Sequence, residues 1–157
     1  YLYSADEIRR LLAAARNLKI RYPLQRHTYY CLFGLLAVTG LRLGEAISLQ
    51  PQDVDLSAGV LTVRGAKFGK SRLVPLHPST RAVLRDYARR RDRFFAGRPI
   101  PYFLMTGRGK QLHKTSLSSI FRALSRQIGI RRPGVRRGPR LHDFRHHSEF
   151  RIIPSGG

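Results

Sequence analysis

The sequence predicts a mainly α-helical domain that carries a small antiparallel β-sheet, an α+β fold. Three observations predict it. Apolar residues recur at helical spacing in four long segments and one short one. Two β-rich runs, Val60-Leu61-Thr62-Val63 and Arg72-Leu73-Val74-Pro75-Leu76, flank a short loop of glycine and lysine, the pattern of a hairpin. The chain has 157 residues and 42% apolar content, which suits one domain with a real core and excludes a disordered tail.

The elements follow in order. Tyr1-Leu2-Tyr3 begins without an initiator Met and reads as the start of a domain cut from a longer chain. Ser4 caps the first helix and Glu7 completes a capping box. Ile8, Leu11, Leu12 and Ala15 form its apolar face, with Arg9, Arg10, Arg16 and Lys19 on the polar side. Pro23 and its neighbours read as a linker. A second helix over residues 26–38 is dense in apolar side chains (Tyr29, Tyr30, Leu32, Phe33, Leu35, Leu36), so it belongs in the middle of the core. Thr39-Gly40 interrupts it, Gly40 suiting a left-handed C-terminal position. Residues 43–49 read as a short helix with Leu43, Ala46 and Ile47 inward, ended by Pro51.

Asp53-Val54-Asp55-Leu56 and Ser57-Ala58-Gly59 then form a strand and turn ahead of the hairpin, whose loop carries Lys67 and Lys70. Ser79 is the expected cap of a helix over 80–95, with Val83, Leu84, Tyr87 and Ala88 inward and Arg89, Arg90, Arg91 and Arg93 as a solvated face or, alternatively, as phosphate contacts. Tyr102-Phe103-Leu104-Met105 is an apolar extended segment. A last long helix over 116–128 shows a clean stripe of Leu117, Ile120, Phe121, Leu124 and Ile128, stopped by Gly129. Arg131, Arg132, Arg136, Arg137 and Arg140 then fall in a stretch with prolines, glycines and no periodicity, hence a loop whose arginines can reach phosphates. Residues 147–157 show no helical face and read as a divergent tail.

The formal charge is +21, from 30 Lys/Arg against 9 Asp/Glu. Small domains ordinarily carry a magnitude of about 2–8. So large an excess repels itself unless a polyanion screens it, which makes nucleic acid the first candidate partner and an anionic membrane the second. A basic RNA-coating protein is the bland alternative. The lone Cys31 cannot form an internal disulfide and sits in an apolar helical pattern, so it is read as core. The apolar run from Tyr29 to Val38 is far short of the roughly 20 residues that cross a bilayer, and no secretory or lipidation signal is visible, so a soluble intracellular protein is expected.

Phosphodiester chemistry without a metal needs fixed positive charge around the non-bridging oxygens. Arginine supplies it through a planar fork that stays protonated. Lysine can protonate a leaving oxygen once its pKa falls, and histidine can donate a hydrogen bond or relay a proton. Arg42, Lys67, His142 and Arg145 offer that set, with Glu45 three residues after Arg42 as a support. Composition alone does not choose these four from thirty basic residues.

The local patterns do. Thr39-Gly40-Leu41-Arg42-Leu43-Gly44-Glu45 resembles the first arginine motif of the tyrosine recombinase (phage integrase) family. Gly65-Ala66-Lys67-Phe68-Gly69-Lys70-Ser71-Arg72-Leu73-Val74-Pro75-Leu76 resembles its lysine hairpin, the following strand placing the lysine at Lys67 in preference to Lys70. Leu141-His142-Asp143-Phe144-Arg145-His146 resembles its histidine–arginine motif. The resemblance implies a helical catalytic domain with a small sheet, acting on duplex DNA by tyrosine attack on the scissile phosphate. It implies a 3′-phosphotyrosyl intermediate and a free 5′-hydroxyl, with no metal and no high-energy cofactor. Arg42 and Arg145 would hold the non-bridging oxygens, Lys67 would protonate the leaving 5′-oxygen, and His142 would assist the proton or hold the phosphate. Lys70, Arg72, Arg131, Arg132, Arg136, Arg137 and Arg140 are the expected further DNA contacts. Localisation would be cytoplasmic, at the nucleoid.

The sequence departs from that family after His146. The resemblance implies a second histidine or tryptophan and then the nucleophilic tyrosine, yet no tyrosine follows Arg145, and the last is Tyr102. Tyr102 and Tyr87 are read as core or interface aromatics and not as substitutes. The expectation is therefore an incomplete catalytic domain over 1–146 with a divergent tail, truncated by a frameshift, stop, fragment boundary or insertion element. It should bind DNA but not cleave it alone, and be monomeric or aggregation-prone where complete relatives form oligomers on DNA. The alternative is a non-catalytic DNA-binding or inhibitory remnant of a mobile-element recombinase.

Overall fold

The computed structural model describes residues 1–65, 69–131 and 138–146, Arg145 and His146 by backbone alone. It is mainly helical with one three-stranded antiparallel sheet, as the sequence predicts. Of the expected site residues, Lys67, Arg132, Arg136 and Arg137 lie outside the described residues, as does the tail from residue 147.

Helix α1 (Ala5–Arg16) opens with the capping box read from the sequence: Glu7 N–H donates to Ser4 Oγ at 3.0 Å and Ser4 N–H to Glu7 Oε1 at 2.9 Å. Helix α2 (Pro23–Thr39) starts three residues earlier than the periodicity suggests. Pro23 is not a linker residue but the first residue of the helix, where its fixed φ suits the turn and its missing N–H costs nothing. This helix is the centre of the molecule. It packs against α1, against the short helix α3 (Leu43–Ile47), against α4 (Pro78–Phe94) and against a terminal 3₁₀ turn, Leu141–His146. Burial on nearly every face explains why its sequence is apolar all round. Its one polar core group, Thr28, has its hydroxyl 3.2 Å from Leu24 O, 3.1 Å from Tyr87 Oη and 3.2 Å from Met105 O. Cys31 is 1% exposed, as its apolar setting implies.

Pro51 does more than end α3: it opens a 3₁₀ turn, Pro51–Asp53, that leads straight into β1 (Val54–Asp55). Strands β2 (Val60–Arg64) and β3 (Ser71–Pro75) pair in the register Leu61↔Val74 and Val63↔Arg72, with β1 on the other side of β2. Leu61 and Val63 face the core and their neighbours face out, the period-two pattern of a half-buried strand. Helix α4 is capped by His77 and not by Ser79, because His77 Nδ1 accepts the Ser79 N–H at 3.2 Å. Only Met105 of the expected extended segment forms a bridge, to Gln111, although Phe103, Leu104 and Met105 are all buried. Helix α5 (Lys114–Gln127) begins two residues earlier than expected and lays Leu117, Phe121 and Leu124 on the core. No helix among the described residues is long and apolar enough to cross a membrane.

Candidate functional site

The bend between α2 and α3 places Arg42. Gly40 ends α2 with φ 71°, a left-handed conformation that lets the chain turn at once. Leu41 then drops into the core at 0% exposure, and Arg42 takes the N-cap position of α3 with its side chain exposed. The turn is pinned by Glu45, whose Oε1 accepts the Arg42 N–H at 2.9 Å. Among the described residues no hydrogen bond or ion pair engages the Arg42 guanidinium, whereas that of Arg72 is held by Glu45 in a two-pronged pair, Nη1–Oε2 2.7 Å and Nη2–Oε1 3.0 Å. Glu45 thus supports Arg42 through the backbone and gives its remaining valence to Arg72. The Arg72 fork holds the Glu45 carboxyl below its usual range.

The 3₁₀ turn Leu141–His146 places His142. The backbone of position 145 follows that of position 142 by one turn. Phe144 anchors the turn in an aromatic cluster, its ring edge-on to Tyr3 at 4.6 Å and to Phe121 at 5.2 Å. Tyr3 Oη donates to Arg140 O at 2.7 Å, and Asp143 Oδ2 accepts the Arg140 N–H at 3.1 Å, so the entry to the turn is held from both sides. His142 is exposed, and the backbone of Arg145 belongs to the same turn.

Two clefts meet at Arg42. The first, about 610 Å³, is lined by Arg42, Lys114, Arg122, Arg131, Arg140 and His142 above an apolar floor that includes Leu36, Leu41 and Phe121. Among the described residues no carboxylate lines it. The second, about 850 Å³, lies between α3 and the hairpin and is lined by Arg42, Arg64, Arg72 and Lys114 together with Glu45 and Asp53. Both of its acids are already paired, Asp53 to Arg64 at 2.9 Å and Glu45 to Arg72. In the first cleft Arg140 is paired to Asp143 at 3.9 Å, and Arg42, Lys114, Arg122 and Arg131 have no carboxylate partner among the described residues, an arrangement suited to a phosphate backbone. There Arg42 and His142, a hundred residues apart in sequence, line one space.

The other expected contacts divide. Arg131 and Arg140 reach the first cleft, Arg131 also donating to Pro139 O at 2.6 Å. Lys70 is exposed but lines neither cleft. Lys114, Arg122 and Arg64 line the clefts without belonging to any motif. The first two could have been found: Lys114, Ser118 and Arg122 are spaced four apart on α5 and share one face, all three on the first cleft. Lys114 lies close over α3 because Gly44 has no side chain; a Cβ there would stand 3.2 Å from its Nζ. Among the described residues no group of three or more His, Cys, Asp or Glu could hold a metal ion.

The model of the phage integrase family matches residues 2–157. "Putative integrase/recombinase y4rB" of Sinorhizobium fredii is 55% identical over 150 residues, which is 93% of this chain and 48% of that protein. The chain thus spans about half the length of the curated relatives it matches. Among solved structures, XerA recombinase superposes with a TM-score of 0.73 at 26% identity, over 94% of this chain and 48% of that one. XerH site-specific recombinase, solved bound to its difH substrate before cleavage, gives 0.71 at 19% identity over 94% and 41%, a likeness of fold. By its matching family model, its relatives and its fold, this chain belongs to the phage integrase family of tyrosine recombinases.

Proposed function

We propose that these residues form the DNA-binding and phosphate-activating part of a site-specific recombinase catalytic domain. One observation carries this: Arg42 and His142 converge on a cleft with further cations and, among the described residues, no carboxylate in its lining. In this reading the scissile phosphate sits in that cleft. Arg42 and Arg145 bind its two non-bridging oxygens and stabilise the charge that builds in the transition state. A tyrosine hydroxyl gives up its proton, to the His142 imidazole or to water, as it attacks phosphorus; the bond to the 5′-oxygen breaks, and Lys67 delivers a proton to that leaving oxygen. The 3′-phosphotyrosyl bond conserves the energy of the broken one, so rejoining needs no cofactor. Lys114, Arg122, Arg131 and Arg140 extend the contact along the backbone. The apolar floor keeps the local dielectric low, which strengthens each of these interactions.

The test is binding of a mixed-sequence duplex oligonucleotide across a salt series, read by fluorescence anisotropy. The expected outcome is a linear fall of log affinity with log salt, and a slope shallower by about 0.9 in Arg42→Gln. Arg98→Gln, exposed and outside both clefts, should leave the slope unchanged. Equal slopes in the two variants would remove Arg42 from the interface, and tighter binding to structured RNA would favour the RNA-coating alternative. For these 157 residues taken by themselves a second reading is binding without cleavage, since no tyrosine follows Tyr102 among them. The purified 157 residues should then form no covalent adduct on a nicked suicide duplex, and an adduct would overturn it.

A further inference from the structure

We propose that Arg64 and Arg72 are positioning residues: a pair of clamps that set the width of the cleft between α3 and the hairpin, and not contacts to DNA. The proposal rests on the reading above only in taking Arg42 as a phosphate-binding residue.

Each clamp has the same construction. At the end of β2, Arg64 donates from Nε (3.2 Å) and Nη2 (2.9 Å) to Asp53 Oδ1. The other oxygen of Asp53 accepts the Gln50 N–H at 2.9 Å and so caps the 3₁₀ turn that follows α3. At the start of β3, Arg72 grips both oxygens of Glu45, and Glu45 in turn caps α3 through the Arg42 N–H. Each carboxylate therefore joins one strand of the hairpin to one helix start, and one of those starts is Arg42 itself. The register puts the clamps on different faces. Arg72 lies opposite the buried Val63 and shares its face, while Arg64, one residue further on, leaves from the other. A ribbon held from both faces cannot rock about its long axis.

The neck of the hairpin is closed just beyond the clamps, where a Cβ on Gly65 would lie 1.8 Å from Lys70 O. One wall of the second cleft is Arg42, Gly44 and Glu45, and the facing wall is Thr62, Val63, Arg64, Gly65 and Arg72. The clamps are what span it. Both arginines spend their forks on carboxylates, and the Asp53 side chain is buried while that of Arg64 stays open to solvent.

The decisive variant is the double substitution Glu45→Gln with Arg72→Gln, which removes the clamp without changing the net charge. Two measurements judge it. Without DNA, amide exchange at Arg72 and Val74, whose N–H groups point at β2, should accelerate; unchanged protection overturns the clamp whatever the protein binds. With a mixed-sequence duplex, affinity of the folded protein should fall about tenfold while the slope of log affinity against log salt stays as in the unsubstituted chain. Arg72→Lys, which restores charge but not the fork, should recover only part of the loss. A slope shallower by about 0.9 in the double variant would mean that Arg72 touches a phosphate and is no clamp. Unchanged affinity with faster exchange would mean that the pair only stabilises the fold, which also overturns the proposal. If the unsubstituted chain shows no salt-dependent binding at all, the phosphate-site reading fails, and the exchange measurement still decides the clamp.

Discussion

Arg91 occupies a core position. It is 5% exposed, on the face of α4 that also buries Val83, Leu84 and Tyr87. Its Nη1 donates to Phe103 O at 3.0 Å, its guanidinium carbon stands 4.9 Å over the Phe103 ring, and Asp92 balances the charge at 2.9 Å. The segment around Phe103 forms no regular strand, so this fork is what satisfies its backbone carbonyl at depth. Arg91→Ala should lower unfolding free energy by about 3 kcal/mol, since it leaves a buried carbonyl unpaired and a cavity behind. Arg91→Lys should cost less but remain destabilising, because one ammonium cannot both reach the carbonyl and lie flat on the ring. Urea unfolding followed by tyrosine fluorescence measures both, the chain having no tryptophan. In the sequence Arg91 is hidden inside Arg89-Arg90-Arg91, which reads as one solvated run. Yet it lies seven and four residues after Leu84 and Tyr87, and periodicity weighed against charge would have marked it. Arg42 and His142 were legible for the opposite reason: their neighbours, Gly40 and the buried Leu41 and Phe144, fix the local backbone, so short motifs carry the information.

At the scale of elements, what the sequence reveals depends on whether a segment has a period. Helices α1, α2, α4 and α5 repeat their apolar residues and were legible to within a few residues, as were strands β2 and β3. The segments without a period were not: Pro23 as a helix start, the 3₁₀ turn at Pro51, and the 3₁₀ form of Leu141–His146 all depend on tertiary partners. The hairpin loop shows how two glycines in one motif can serve different ends. Gly69 has φ 63° and open space around it, so a side chain there meets only backbone strain. Gly65 has an ordinary backbone and no space, because Lys70 O occupies the site of its Cβ. Gly69→Ala should therefore cost about 1 kcal/mol, the penalty of the left-handed region. Gly65→Ala should cost more, about 2 kcal/mol, because the neck must open. Amide exchange separates them: protection of Val63 and Arg72, the last hydrogen-bonded pair of the ladder, should survive the first substitution and be lost in the second.

The whole molecule is governed by charge. Nine carboxylates oppose thirty Lys and Arg, and several of the nine are already committed to named arginines. Lowering the pH removes that opposition in two stages with the same sign. Burial, helped by the nearby Arg90, pushes His27 down to about 4 from its ordinary 6.5, so the ring is neutral in the fold where it would be charged in the unfolded chain. Between those two values the unfolded state binds the extra proton, and stability falls as pH falls. Glu45 is held below its usual value chiefly by Arg72, so in the unfolded chain it protonates first, and its pair adds stability only above that range. Beneath it the cations stand unopposed and repel one another. The melting temperature should therefore drop steadily from pH 6.5 downward. The lower part of that drop should shrink as salt is raised from 0.01 to 0.1 M, because the screening length contracts from about 30 to about 10 Å. His27→Gln should flatten only the upper part, at either salt, since its cause is burial more than distant charge. Circular-dichroism melts over that grid decide the matter. An acid limb indifferent to salt would show that self-repulsion is not what unfolds the molecule, and the partly buried His27 and the salt-bridged carboxylates would then account for the whole of it.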